Sequence, residues 1–286
     1  MKAGKFLVLR RASQLGILAL FLLGPLAGIW IVKGTLTYSY TLDTLPLADP
    51  YVLAQSLLAG HSPEQKMLIG AALIAAFYLL LGGRVYCSWV CPMNMVTDAA
   101  AWLRERLGLR MGSAMPRSLR YWILAMTLVL ALATGTIAWE LVNPVSMLHR
   151  GLIFGMGAAW AIVAAVFLLD LFVSPRAWCG HACPVGAFYS LIGRFSLVRV
   201  AAVRRAQCND CMDCYAVCPE PQVITPALKG EMRGSAKACG PVILAPTCTN
   251  CARCIDVCTR DVFEFGTRFG NAPGKPIRLA EAKELP

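Results

Sequence analysis

The chain has 286 residues, of which 57% are hydrophobic and only 15% charged, with a mean hydropathy of +0.59; that is too apolar for a soluble domain of this size. The formal charge of +11 is concentrated in short segments beside apolar runs, where anionic lipid is the natural counterpart, so no nucleic-acid partner is expected. Thirteen cysteines would suggest disulfides in an extracellular chain; here most fall on the expected cytoplasmic side, where thiols stay reduced and metal binding is the default reading.

Residues 1–14 form a basic N-terminus with Lys2, Lys5, Arg10 and Arg11 and no acid. Four apolar windows follow at 15–32, 67–83, 121–139 and 151–173, each near the roughly 17–25 residues a helix needs to cross a bilayer. The first is longer than a signal-peptide core, and the KGTLTYS after it offers no small-residue cleavage site, so it reads as a retained helix. Arg84, Arg104, Arg106, Arg110, Arg117 and Arg120 lie between the second and third windows, whereas the opposite flanks hold only Lys33, Lys66 and Arg150. Both termini are therefore expected on the cytoplasmic side of a bacterial inner membrane.

RVYCSWVCPM follows the second window and brings Cys87 and Cys91. RAWCGHACPVG follows the fourth and brings Cys179 and Cys183, Cys179 lying 92 residues after Cys87. DPYVL at Asp49 and NPVSML at Asn143 are weaker echoes in the expected external loops, and together they indicate two pseudo-repeats. Positions i and i+4 share a helix face, so these four thiols can converge on one site. Iron-sulfur, zinc, two disulfides and independent packing all remain open for them. The prolines end or bend the chain at that point.

From about residue 196 the composition changes to arginine, proline and turn residues. CNDCMDCYAVCPEP supplies Cys208, Cys211, Cys214 and Cys218, and CTNCARCIDVCT supplies Cys248, Cys251, Cys254 and Cys258. Three cysteines at this spacing wrap one cluster and the fourth reaches the neighbouring one. The expected sets are Cys208, Cys211, Cys214 and Cys258 for one 4Fe-4S cluster, and Cys248, Cys251, Cys254 and Cys218 for the other. Zinc sites show paired C-x-x-C steps instead. Thr259 stands where a proline is usual, and Cys239 has no partner spacing.

Taken together, VYCSWVCPMN, WELVNPVSM, WCGHACPVGA and the double ferredoxin motif resemble the NapH family over nearly the whole chain, and the sister family MauN shares the layout. The resemblance implies a four-helix membrane domain over 15–195, in two pseudo-repeats, followed by an α+β two-cluster ferredoxin-like domain over 196–286. It further implies a quinol dehydrogenase component that draws electrons from the quinone pool and passes them to a NapG-type periplasmic iron-sulfur protein and on to nitrate reductase. A maturation or electron-donor role in methylamine utilisation is the alternative implied by MauN. A membrane redox regulator is disfavoured because no large sensory domain is present.

Quinol gives up two electrons and two protons, so such a role needs a proton acceptor within reach of the membrane. Asp170, the only acid inside a window, is one candidate, and His61, Glu140 and His149 at the outer face are others. A bis-histidine haem is not expected, because none of His61, His149 and His181 lies mid-window. The cluster ligands all fall on the cytoplasmic side, whereas the implied acceptor is periplasmic, and no carrier within the bilayer is evident.

Overall fold

The computed structural model describes residues 4–109, 115–155, 157–232 and 235–269; Arg110 and the end of the expected tail domain, 270–286, lie outside the described residues. Helix α1 (Lys5–Ala27) starts in the basic segment, with Lys5, Arg10 and Arg11, is apolar from Leu15 on, and stops at Gly28, whose φ of 72° lets its N–H turn back to the Gly24 carbonyl. It starts earlier than the 15–32 window. The end of that window instead enters a three-stranded antiparallel meander, β1 (Val32–Gly34), β2 (Tyr38–Thr41) and β3 (Leu45–Ala48), with Tyr38 opposite Ala48. Leu42 and Asp43, both at positive φ, form the tight turn between β2 and β3.

The meander delivers the chain to α2 (Pro50–Leu58), whose cap Asp49 accepts the Tyr51 N–H and whose first residue is proline. Then come α3 (Gln65–Leu81), a π-turn at Tyr86–Val90, and α4 (Met93–Arg106). The second half repeats this plan. Helix α5 (Leu119–Thr134) leads through a 3-10 turn at Ala138–Leu141 into α6 (Pro144–Phe154), capped by Asn143 as α2 is by Asp49. Helix α7 (Gly157–Leu168) runs into a π-turn at Leu169–Val173; a further π-turn at Trp178–Ala182 precedes α8 (Pro184–Ile192). The two halves pack closely where α3 and α8 end: a Cβ on Gly83 would lie 1.8 Å from the Tyr189 carbonyl oxygen.

Among the described residues α1 alone is long and apolar enough to cross a membrane, while Gln65–Leu81, Leu119–Thr134 and Ala159–Val173 are apolar but shorter. The 151–173 window is not one helix. It is broken at Gly155, at φ 63°, where α6 ends before α7 begins.

The tail contains β4 (Val198–Ala201), α9 (Asp213–Val217), α10 (Ile224–Lys229), the β5 (Glu231–Met232) and β6 (Ser235–Ala238) ribbon, α11 (Arg253–Val257) and β7 (Glu264–Thr267). Strand β7 returns to pair antiparallel with β4, with Val200 opposite Phe265. Two apolar cores result. One gathers Tyr51, Tyr78, Tyr86, Trp139 and Tyr189 in the repeats, and the other Val200, Ile224, Leu228, Ile243 and Phe263 in the tail; cysteines are packed into both.

Candidate functional site

The two tail motifs fold alike. Asp210 and Met212 in the first loop, and Asn250 and Ala252 in the second, hold positive φ at matching positions after Cys208 and Cys248. Such backbone is costly outside glycine and persists where the surroundings over-determine it. It bends each loop around a small enclosed space. One is ringed by Cys208, Cys211, Cys214 and Cys258, and the other by Cys218, Cys248, Cys251 and Cys254. The spacing argument sorts the eight cysteines into these same two sets.

Cys87, Cys91, Cys179 and Cys183 form no disulfide, so the disulfide alternative for the repeat cysteines has no counterpart in the structure. Burial, then the neighbouring thiols Cys208 and Cys211, push the Cys214 thiol up to about 11; burial and then Cys251 push Cys218 up to about 12. Thiols packed together in this way keep their protons until a cation replaces them. Among the described residues no three His, Cys, Asp or Glu side chains close on a point that would hold a single ion. Four cysteines line each of the two spaces, a donor set that fits 4Fe-4S.

A third space is ringed by Cys87, Cys91, Cys179 and Cys183. The π-turns put them there: the Cys91 N–H bonds to the Tyr86 carbonyl at 2.9 Å and the Cys183 N–H to the Trp178 carbonyl at 2.9 Å, so both pairs bend alike. Asp49 lines the same space, as do Asn143, Pro144 and Val145, so the short helices α2 and α6 both bring their N-termini to it. Partial positive charge at those ends favours an anionic thiolate site.

Buried ion pairs lock the tail onto the repeats. Glu220, two residues after Cys218, takes the Arg84 and Arg120 guanidiniums on Oε1, each at 2.6 Å, and all three side chains are almost fully buried. Arg84 also donates to the Thr247 and Cys179 carbonyls at 2.9 Å, and Arg120 donates to the Gly180 carbonyl at 3.1 Å. Arg176, the twin of Arg84 in the repeat motif, faces Asp98 at 3.8 Å; Asp98 also pairs with Arg253 of α11 and with Arg11 of α1. Ser88 donates to the Thr249 carbonyl at 2.7 Å and Trp89 to the Asn250 carbonyl at 3.1 Å. Through these contacts Cys87, Cys179 and Cys251 come to line one narrow gap. Cys214 and Cys254, one from each tail pocket, share a single buried core. The repeat pocket and the Cys251 tail pocket thus meet across that gap, and the two tail pockets adjoin one core.

Residues 65–110 and 156–201 each match the family described as 4Fe-4S binding domain, so the match covers both repeats and their C-x-x-x-C pairs. The ferredoxin-type protein NapH of Haemophilus influenzae is 49% identical over 94% of this chain and 92% of its own length. The NapH of Escherichia coli is 44% identical over the same share of each. The chain belongs to the NapH family of ferredoxin-type proteins. The methylamine utilization ferredoxin-type protein MauN of Paracoccus denitrificans, from the sister family, is 56% identical over 94% of this chain and 93% of its own. No solved structure matches. Membership makes the chain an iron-sulfur electron-transfer protein.

The residues expected to accept protons are scattered. Asp170 is fully buried and accepts the Trp178 N–H at 2.9 Å, steadying the turn that carries Cys179. Glu140 is taken up by Asn143 at 3.1 Å and by Ser146. His149 stacks edge-on to Phe21, with ring centroids 5.7 Å apart, and His61 is exposed in the loop after α2. Cys239 lines none of the three pockets. Sequence reasoning missed Glu220, Asp98 and Asp49. Glu220 and Asp98 find their arginines only in three dimensions; Asp49 was visible as the echo of Asn143.

Proposed function

We propose that the protein is a membrane electron-transfer subunit, in which electrons from membrane quinol enter at the Cys87, Cys91, Cys179 and Cys183 pocket and leave through the tail. The narrow gap lined by Cys87, Cys179 and Cys251, between the repeat pocket and the tail, supports this reading. Cys87, Cys91, Cys179 and Cys183 would hold one 4Fe-4S cluster, Cys218, Cys248, Cys251 and Cys254 a second, and Cys208, Cys211, Cys214 and Cys258 a third. Such clusters supply one-electron exchange at potentials set by their surroundings. The chain's own part is to fix the pockets in line, exclude water around them and present Cys211, the exposed cysteine of the outermost set, to a partner.

In this reading the four apolar segments cross the bacterial inner membrane with both termini cytoplasmic, the shorter helices spanning with help from the π-turns and the capped short helices. By analogy with NapH the electrons are bound for a NapG-type periplasmic iron-sulfur protein and a periplasmic nitrate reductase, across the membrane from the tail, so the partner that meets Cys211 is a separate carrier on the cytoplasmic side. The 56% identity to a methylamine-utilization protein favours a second reading, electron donation or maturation in that pathway, through the same pockets.

The test is anaerobic. Purified, iron-loaded protein mixed with a short-chain quinol should bleach the iron-sulfur absorbance in the visible, and adding the ferredoxin-type partner should restore it. Fully loaded protein that quinol leaves oxidised would overturn quinol oxidation and leave the maturation reading standing.

A further inference from the structure

A cavity of about 330 Å³ is bounded by α1, the β1–β3 meander and α3, within the size range of small-molecule sites. Its walls are mainly apolar: Ile17, Leu20 and Phe21 from α1, Ile74 and Tyr78 from α3, and Leu36 and Leu47 from the meander. Elsewhere α1 and α3 carry exposed Leu15, Leu73, Phe77 and Leu80, an apolar approach for a lipid-soluble ligand.

The inner end differs from the walls. Tyr86 and Tyr189 stack there at 5.0 Å with rings 16° apart, and Tyr78 packs edge-on to Tyr189 at 5.0 Å. Among them sits Asp49, only 7% exposed. Its Oδ1 accepts both the Tyr51 N–H at 2.9 Å and the Tyr189 hydroxyl at 3.1 Å, while Oδ2 accepts no hydrogen bond from the described residues. A carboxylate oxygen that opens onto the end of an apolar chamber is an acceptor available to a ligand's hydroxyl.

Two residues, Asp49 and Tyr86, line both this cavity and the four-cysteine pocket. A ligand ring lying against Tyr86 would therefore sit one residue layer from Cys87. The ligand that meets all these conditions is flat, carries an apolar tail, ends in a hydroxyl and gains from closeness to a redox site.

We propose that this cavity is the headgroup site for membrane quinol, with Asp49 Oδ2 accepting the hydrogen bond of one quinol hydroxyl and Tyr189 holding the carboxylate in place. The assignment rests on the quinol reading above and adds the location and the binding residue. Asp170, His61, Glu140 and His149 lie outside this cavity.

Binding tests it directly. Cluster-loaded protein in nanodiscs is titrated with 2-heptyl-4-hydroxyquinoline N-oxide, a fluorescent quinol mimic quenched on binding, and a short-chain quinone is used as competitor. Asp49→Asn keeps the helix cap, as Asn143 does in the second repeat, and should weaken binding about tenfold or more, the worth of a hydrogen bond to a charged group. Ile74→Trp fills the chamber and should abolish binding with the visible cluster absorbance unchanged. His61→Ala should bind like wild type. Wild-type protein that binds neither probe nor competitor overturns the quinol reading itself. Wild-type protein that binds, with Asp49→Asn and Ile74→Trp binding as well, places the quinol elsewhere and overturns this site alone.

Discussion

The two repeats build nearly the same scaffold and differ in what surrounds it. Each sets a short helix with an Asx-Pro start, an apolar helix and a cysteine-bearing π-turn around a common pocket. In the second repeat the cap is Asn143, engaged on both sides: it donates to Glu140 and Ser146 and accepts the Val145 N–H. The neighbouring Trp139 and Trp178 stack at 6.1 Å with rings 16° apart. In the first repeat the cap is Asp49 with one oxygen free, the aromatic at the turn is Tyr86, and a β-meander stands where the second repeat has one 3-10 turn. A pseudo-symmetric cradle thus has an asymmetric approach. Symmetry serves the four thiols, and asymmetry serves whatever reaches them.

The largest expected effect comes from cutting the line of pockets. Cys251→Ser should leave the repeat pocket and the outermost tail pocket loaded but break transfer between them, so quinol would reduce the first and not the last, as read by electron paramagnetic resonance after freeze-quench. Equal reduction of both would show that the tail does not lie downstream.

Undocking the tail is next. Glu220→Ala strands Arg84 and Arg120 in a buried site, a loss of about 3–5 kcal/mol for a broken buried pair. Limited proteolysis should then release the tail at a protease concentration that spares the wild type. An unchanged digest would mean that Asp98 and its arginines suffice to hold the tail.

The comparison of repeats is sharpened by exchange. Asn143→Asp combined with Glu140→Gln, which removes the carboxylate that Asn143 now donates to, places a second carboxylate on the pocket wall, and at an effective dielectric near 20 a nearby charge is worth on the order of 1–2 kcal/mol. The midpoint potential of the repeat-pocket cluster should fall in a redox titration, with quinone-mimic binding unchanged. A gain in binding would mean that the approach is not confined to the first repeat.

The smallest effect concerns pH. Burial raises the Asp98 carboxyl, but Arg253, Arg176 and Arg11 outweigh it and hold the group below its ordinary value. A depressed folded value means stabilisation fully present above the unfolded value of about 3.9 and lost as pH falls through the folded one. The difference in melting temperature between wild type and Asp98→Asn should therefore be constant from pH 7 to about 5 and narrow only below about 4. Narrowing already near pH 6 would mean that Asp98 is not ion-paired.

What the sequence revealed was periodic or local. Which tail cysteines share a pocket could be read from their spacing, and the repeat because Arg84 and Arg176, with their cysteines and prolines, recur in order. The role of those arginines could not, because Glu220 is far from Arg84 along the chain and meets it only when the tail folds back. The meander at residues 32–48 was hidden because short strands between apolar windows look like loop. Gly155 broke an apolar window that hydropathy alone reads as continuous. Asp49 was legible only as the echo of Asn143, because it lies outside every apolar window and the β-meander carries it inward.

The central claim is that the repeat cysteines form a third cluster site continuous with the two in the tail. Iron and acid-labile sulfide per chain, measured on anaerobically purified protein, test it most directly. The account predicts about twelve of each, from three 4Fe-4S clusters. About eight of each, with Cys87→Ser and Cys179→Ser leaving the count unchanged, would contradict it.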